Sequence, residues 1–328
     1  MAPLNIKFKS TGAYLPERVL TNQDLEMIVD TSDEWITTRT GIKTRRIAAD
    51  EEATSDMAYE AAKIAIKRAD MSPEEVELII VGTISPDMFF PSTGCFVQDR
   101  LGAKNAVAMD INAACSGYIY SLVIASKFLV SGTYKNALII GSEKLTSIVN
   151  WEDRATCVLF ADGAGAGILV PSNGGSKILA FDLGSDGSYG KDLCVPAGGS
   201  RNPATKETVE KKMHSIVMNG NAIFKIAVNK MRETFNKSMA MAGVTADDIT
   251  LLIPHQANLR IIESLRNFLK LPKEKVYVNI DRYGNTSAAS IAIALNEVHE
   301  QGIIKRGDII GLAAFGGGLT WASAILEF

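Results

Sequence analysis

The chain repeats itself. Residues 69–81, ADMSPEEVELIIV, resemble residues 242–254, AGVTADDITLLIP, at a displacement of 173 positions. Both read as a helix end, an acidic turn and a buried strand. The same displacement pairs Asn112 of INAACSG with Asn285 of GNTSAAS, and KNALIIG at 135–141 resembles GDIIGLA at 307–313 at a displacement of 172. Any one match is within reach of chance between amphipathic segments. Three in order at nearly one displacement favour internal duplication, which would bring corresponding loops together at a pseudo-two-fold axis. The best midpoint break is the loop Ser172–Ser176 (SNGGS), giving halves 1–173 and 174–328. That agrees with the roughly 150 residues per domain expected of a chain this long.

Short β-branched runs alternate with longer amphipathic stretches, so the fold class is α/β. The expected strands are Leu78–Val81, Ala106–Ile111, Ala137–Ile140, Val158–Phe160, Gly167–Val170, Leu251–Ile253, Val276–Ile280 and Ile309–Leu312. The expected helices are Ser55–Asp70, Gly117–Val130, Ala222–Ala242, Leu259–Phe268 and Ala288–Glu300. In such folds, loops that follow a strand and precede a helix usually build the site. The matched Asn112 and Asn285 loops are of this kind.

Composition narrows the function classes. With 34 basic and 37 acidic residues the net charge is −3, which argues against a general nucleic-acid binder. The most apolar segment, Ile119 to Val130, is broken by Lys127, so no membrane span is expected. The N-terminus MAPLNIKFKS has no apolar h-region, and the four cysteines, Cys95, Cys115, Cys157 and Cys194, form no CxxC pair. A cytoplasmic protein with reduced thiols and no metal site is expected.

Four elements carry candidate chemistry. Cys115 follows a strand and opens a helix apolar nearly all round, where free N–H groups and the dipole would lower a thiol pKa; the plain alternative is a small core cysteine. His255 directly follows the buried run Leu251–Ile253, whereas His214 and His299 sit in polar contexts that read as solvent-facing. Asn285 occupies the second-half equivalent of the cysteine corner, although Asn-Thr-Ser also makes an ordinary turn and helix cap. Phe315-Gly316-Gly317-Gly318 follows a strand and leaves amides uncovered, as an oxyanion hole needs; a simple loop would use the same glycines. Together these supply a nucleophile, an imidazole, an amide donor and a backbone cradle, which is equipment for acyl transfer. GxSxG, a P-loop and GxGxxG are all absent from the sequence.

MDINAACSGYIY, LLIPHQANLR, DRYGNTSAAS and AAFGGGLTW, with YLPERVLTN, WITTRTGI and FADGAGA, resemble β-ketoacyl-acyl-carrier-protein synthase III, a condensing enzyme of the thiolase superfamily. The resemblance covers essentially the whole chain. It implies a duplicated αβαβα layered fold and a homodimer without a metal or redox cofactor. It makes Cys115 the acylated nucleophile, with His255 and Asn285 completing the triad, and it assigns the oxyanion amides to Cys115 and Gly317. By the same resemblance Trp35, Arg39, Thr40 and Arg154 contact the adenine and phosphate end of coenzyme A. Gly220, Phe224, Ala257 and Asn258 then line the pantetheine tunnel. Phe90 and Phe315 bound the acyl pocket, with Phe90 inserted from the partner subunit. Trp35 and Arg39 also make sense locally. Thr31 and Glu34 have capping-box spacing, and the helix they would start presents the indole and guanidinium on neighbouring turns. Without the family, Arg39, Lys43, Arg45 and Arg46 read equally as a solvated basic face.

The implied reaction has two halves. Cys115 is acylated by an acyl-coenzyme A, which is a substrate and not a cofactor. Malonyl-acyl-carrier protein then loses carbon dioxide, and its enolate attacks the acyl-cysteine. An acidic carrier would meet a local basic patch of Lys225, Arg260, Arg266 and Lys270, whose plain alternative is a solvated helix face interrupted by Glu263. Three other readings stay open: a related synthase of secondary metabolism using coenzyme A thioesters only, an acyl-thioester hydrolase, and a non-enzymatic acyl-binding module.

Overall fold

The computed structural model describes residues 2–328. In chain order its strands are β1 (Ile6–Tyr14), β2 (Arg18–Thr21), β3 (Thr44–Ile47), β4 (Leu78–Gly82), β5 (Val107–Ile111), β6 (Ala137–Lys144), β7 (Asp162–Pro171), β8 (Lys177–Ser185), β9 (Leu193–Cys194), β10 (Val217–Met218), β11 (Leu251–Pro254), β12 (Ile309–Gly316) and β13 (Thr320–Glu327). The helices are α1 (Asn22–Glu26), α2 (Asp33–Thr40), α3 (Thr54–Arg68), α4 (Thr93–Leu101), α5 (Gly117–Val130), α6 (Arg154–Cys157), α7 (Lys206–Glu210), α8 (Gly220–Ala242), α9 (Leu259–Leu269), α10 (Ile280–Tyr283) and α11 (Ala289–Glu300).

Two large sheets repeat one topology. The first runs β1-β7-β6-β4-β5 and the second β8-β13-β12-β11, so β4, β6, β7 and β1 correspond to β11, β12, β13 and β8. The register repeats as well. Ile79 pairs with Leu138 and Ile80 with Ile139; Leu252 pairs with Gly311 and Ile253 with Leu312, each residue 173 positions on. Helix α3 covers the outer face of the first sheet and α8 that of the second, with α5 and α11 between them. The layers are therefore α/β/α/β/α, as expected of the thiolase-like fold.

The central strands explain their own composition. Along β4, Leu78 and Ile80 face the middle layer, while Ile79 and Val81 face the layer of α3, and all four are fully buried. A strand covered on both faces must be a continuous apolar run. Each such side chain contributes about 1.5–3 kcal/mol by leaving water. Helix α11 lies directly on the first sheet. A Cβ at Gly141 would stand 2.4 Å from the Ala288 carbonyl oxygen, and one at Gly165 2.5 Å from the Ala292 Cβ. Only glycine permits that approach, which carries the Asn285–Ser290 turn of one half onto the Cys115 corner of the other.

Two expected strands are not strands. Val158 caps α6, and Phe160 makes a single parallel bridge to Asn285. Val276–Ile280 reduces to one bridge between Val276 and Leu252, at the place β5 holds in the first sheet. There the Gln256 side chain replaces a strand partner. Its Oε1 accepts the amides of Asn279, at 3.0 Å, and Ile280, at 3.2 Å, and the chain turns into α10. Conversely, Gly167–Val170 and Ile309–Leu312 are parts of longer strands, extended through glycine- and alanine-rich stretches that hide strand periodicity. His214 and His299 are half-buried, not solvent-facing: His214 bonds Thr208, and His299 bonds Thr11 and packs edge-on against Phe328. Among the described residues no helix is long and apolar enough to cross a membrane, and no three His, Cys, Asp or Glu side chains could together hold a metal.

Candidate active site

Cys115 lies in a single 3-10 turn, Ala114–Ser116, between β5 and α5. The preceding Ala114 has φ of 45°, a left-handed conformation that alanine adopts at a cost. Its counterpart 173 positions on, Ser287, has φ of 47°. The duplicated corners thus share the same unusual backbone turn. In the second, the Ser287 amide donates to Asn285 Oδ1 at 2.9 Å, and the Ser287 hydroxyl donates to the Cys115 sulfur at 3.3 Å.

His255 follows β11, and its own amide donates to the Ala313 carbonyl of β12 at 2.8 Å. The ring is buried, and its Nδ1 is 2.7 Å from Ser290 Oγ, which also accepts the Gln256 amide at 3.3 Å. Burial holds the imidazole neutral by pushing its pKa down to about 3. Asn285 is fixed by backbone bonds to the expected-strand segment: its amide donates to the Leu159 carbonyl at 2.9 Å, and its carbonyl accepts the Ala161 amide at 3.0 Å.

One cavity of about 620 Å³ joins these groups, its wall including Cys115, His255, Asn285 and Phe315. Gly316 closes the wall beside Cys115, because a Cβ there would stand 2.6 Å from the Cys115 amide nitrogen. Gly317 lies next in the chain, against Leu193. The thiol is not activated as the helix-start argument expects. Burial pushes its pKa up to about 12, opposed by the Ser287 hydrogen bond and reinforced by the charge of Glu143. Cys115 therefore rests as a protonated thiol.

Towards the mouth the cavity is lined by Trp35, Arg39, Thr40, Gly220, Phe224, Ala257 and Asn258, with Lys225 and Arg260 at the same opening. The Arg154 guanidinium lies over the Trp35 ring at 4.8 Å, and Arg39 approaches the same ring at 5.9 Å. Arg260 stacks on Phe224 at 5.3 Å. Thr40 serves the helix, since its hydroxyl donates to the Ile36 carbonyl at 2.6 Å. The capping box expected of Thr31 and Glu34 is absent. Ser32 caps α2 instead, accepting the Trp35 amide at 3.1 Å, which leaves Asp33 and Glu34 in the first turn, where the dipole favours acids.

Other sequence-expected residues fall elsewhere. Arg266 is no free docking cation: it pairs with Glu263 at 2.7 Å and donates to the Leu271 carbonyl at 3.1 Å. Lys270 is an exposed left-handed residue ending α9 and does not line the cavity. Phe90 sits on an exposed loop with Phe89, each 83% accessible, and does not reach the cavity within one chain. Arg45 belongs to no solvated face. It is fully buried, and its guanidinium donates to Asn22 Oδ1 and to the carbonyls of Leu20 and Val158. Sequence reasoning missed Met218 of β10, and Ile223, Ala227 and Met231, which wall the tunnel along α8. The helical spacing of the last three was a usable signal, but it does not distinguish a tunnel wall from core.

The chain matches 3-oxoacyl-[acyl-carrier-protein (ACP)] synthase III over residues 109–187 and the C-terminal region of the same family over residues 239–328. It is 57% identical to beta-ketoacyl-[acyl-carrier-protein] synthase III of Caldanaerobacter subterraneus subsp. tengcongensis, covering 97% of this chain and 96% of the relative. The chain belongs to the synthase III family. The namesake protein of Clostridioides difficile is 54% identical over 97% of this chain and 96% of its own length. The crystal structure of 3-oxoacyl-[acyl-carrier-protein] synthase III from Aquifex aeolicus VF5 superposes with a TM-score of 0.91 at 52% identity, covering 98% of this chain and all of that one. As a synthase III this protein is a condensing acyltransferase.

Proposed function

We propose that this synthase III takes an acyl group from an acyl-coenzyme A onto Cys115 and condenses it with malonyl-acyl-carrier protein, initiating fatty acid synthesis. What carries the reading is that Cys115, His255 and Asn285, contributed by different halves, share one cavity whose mouth bears Trp35 beneath Arg154. The halves 1–173 and 174–328 act as two thiolase-like units, the first holding the nucleophile and the second its partners. An adenine stacks on Trp35, and the phosphates meet Arg39 and Arg154. The pantetheine arm runs down the tunnel past Gly220, Phe224, Ala257 and Asn258.

Sulfur attack on the thioester forms a tetrahedral oxyanion, which the amides of Cys115 and Gly317 stabilise. In the second half-reaction the Ser290 hydroxyl donates to His255 Nδ1, so the ring proton sits on Nε2. His255 then donates to the malonyl thioester carbonyl together with Asn285. As carbon dioxide leaves, both donors stabilise the enolate, whose carbon attacks the acyl-cysteine. Neither half-reaction calls on a metal or redox cofactor. Lys225 and Arg260 at the mouth attract the acidic carrier.

A second copy of the chain completes the assembly. β5 is the edge of the first sheet, and Met88, Phe89, Phe90 and Val107 are exposed near it, a combination that soluble monomers avoid. Phe90 of one protomer would then end the partner's acyl pocket. The site reading is tested by intact-protein mass after acetyl-coenzyme A. The wild type gains one acetyl group and Cys115→Ala gains none while retaining malonyl decarboxylation; acetylation that persists in the variant places the nucleophile elsewhere.

A further inference from the structure

None of the buried acids Glu143, Asp162 and Asp182 takes part in the mechanism above, and Glu143 is the one whose charge reaches Cys115. Glu143, near the end of β6, is fully buried. Its Oε2 accepts four hydrogen bonds: from Ser85 Oγ at 2.6 Å, and from Thr83 Oγ1 and the amides of Ile84 and Ser85, each at 3.1 Å. Its other oxygen, Oε1, has no hydrogen-bond partner. The Ser287 hydroxyl, which reaches the Cys115 sulfur at 3.3 Å, also acts on this carboxyl. A carboxyl with one saturated and one open oxygen, beside a hydroxyl that touches the reacting sulfur, is built to exchange a proton.

We propose that Glu143 and Ser287 form a proton relay for Cys115. Ser287 turns its hydroxyl from the sulfur towards Glu143 Oε1, accepts the thiol proton and passes its own to that oxygen as the sulfur is acylated, and the path reverses when the sulfur is released. The inference rests on the reading of Cys115 as the acylated nucleophile. In the first half-reaction the sulfur–acyl bond forms, the acyl–sulfur bond of coenzyme A breaks, and the departing coenzyme A thiolate takes a proton from solvent. In the second, the malonyl carboxylate leaves as carbon dioxide and its electron pair forms the new carbon–carbon bond. The Cys115 sulfur departs with the pair of the thioester bond and recovers its proton from Glu143 through Ser287. The cycle consumes one solvent proton overall, and Glu143 ends as it began.

The electrostatics agree. Burial pushes the Glu143 carboxyl up to about 7, against the pull of the donors on Oε2, so both of its forms are accessible near neutrality. An ionised Glu143 disfavours the Cys115 thiolate, and transfer of the proton to Glu143 removes that repulsion without adding a second buried charge. The titratable group facing Glu143 is Cys115, and the β4 end presents only the hydroxyls and amides named above. Lys144, next in the strand, turns its Nζ away to the carbonyls of Ala49 and Asp50.

The test follows single-turnover acetylation and iodoacetamide labelling of Cys115 from pH 5.5 to 9 in the full-length protein, using wild type, Glu143→Gln and Ser287→Ala. The wild-type rates should rise through a titration near 7. Both variants should lose that inflection and react about 10²-fold more slowly above it, the order expected of general acid–base assistance, while binding coenzyme A as wild type does. Either folded variant that retains the wild-type inflection overturns the relay. Should Glu143→Gln fail to fold, Ser287→Ala alone decides, since it leaves Glu143 and its donors in place. Acetyl recovered on a residue other than Cys115 in wild type would instead overturn the nucleophile assignment.

Discussion

A methyl group at residue 316 should disable Cys115 without altering it chemically. In Gly316→Ala the new Cβ would stand 2.6 Å from the Cys115 nitrogen, 3.1 Å from the Ala114 Cβ and 3.2 Å from the Cys115 Cα. Ordinary contact begins near 3.4 Å, so the two backbones must part by about 0.8 Å. Neither yields readily. Gly316 is paired with Thr320 at the end of β12, and the Thr320 hydroxyl donates to the Ala113 carbonyl at 2.8 Å, tying the hairpin to the Cys115 turn. Overpacking of this kind costs about 1–3 kcal/mol of stability. A displacement near 1 Å at a reacting atom costs about 10²-fold in rate. Single-turnover acetylation of Cys115 should therefore fall by about that factor, with a lowered thermal midpoint. Coenzyme A affinity should be nearly unchanged, because Trp35 and Arg154 lie on other elements. Gly317→Ala is the internal control: its Cβ meets the Leu193 carbonyl oxygen at 3.2 Å and keeps the residue-317 amide, so acetylation should change far less. Wild-type acetylation by Gly316→Ala would refute the idea that a rigid turn aims the sulfur.

Three further outcomes are expected. His255 is neutral at working pH because burial pushes its pKa down to about 3, so malonyl decarboxylation should show no inflection near 6.5, and one that vanishes in His255→Asn would refute the donor role. By linkage the unfolded chain binds this proton first, so the associated stability is complete above about 6.5 and is lost as pH falls towards 3; urea midpoints of wild type should decline more over that range than those of His255→Gln. Arg260→Glu, at the tunnel mouth, should slow the carrier-dependent half-reaction and reduce its salt sensitivity while sparing Cys115 acetylation, whereas Arg266→Glu should chiefly lower the melting temperature, because Arg266 is committed to Glu263 and Leu271.

The duplication, the five layers and the central helices were legible because they rest on long apolar runs: Leu78–Val81 and Leu251–Ile253 are read the same way in sequence and in space. What escaped depended on single polar groups or on the second chain half. Val276–Ile280 has strand composition, yet one Gln256 side chain takes the amides a neighbouring strand would have bonded. Arg45 looks like part of a basic face beside Arg46, yet it is buried where three oxygen acceptors converge. The thiol of Cys115 stands at a helix start, but the surrounding protein outweighs the dipole and raises its pKa, a balance set by residues far away in sequence.

The pairing of Asn112 with Asn285 pointed to the right two loops for a reason composition does not display. Ala114 and Ser287 share a left-handed backbone at equivalent positions, though neither residue type advertises it. Once duplicated, such a turn presents one side chain to the axis from each half. One copy then carries a sulfur beside its strained residue, and the other carries a hydroxyl on the strained residue itself, aimed at that sulfur from 3.3 Å. The two halves have thus diverged in chemistry while keeping the backbone that makes their side chains meet, which is why the second half's contact with Cys115 could be located only after the fold was closed.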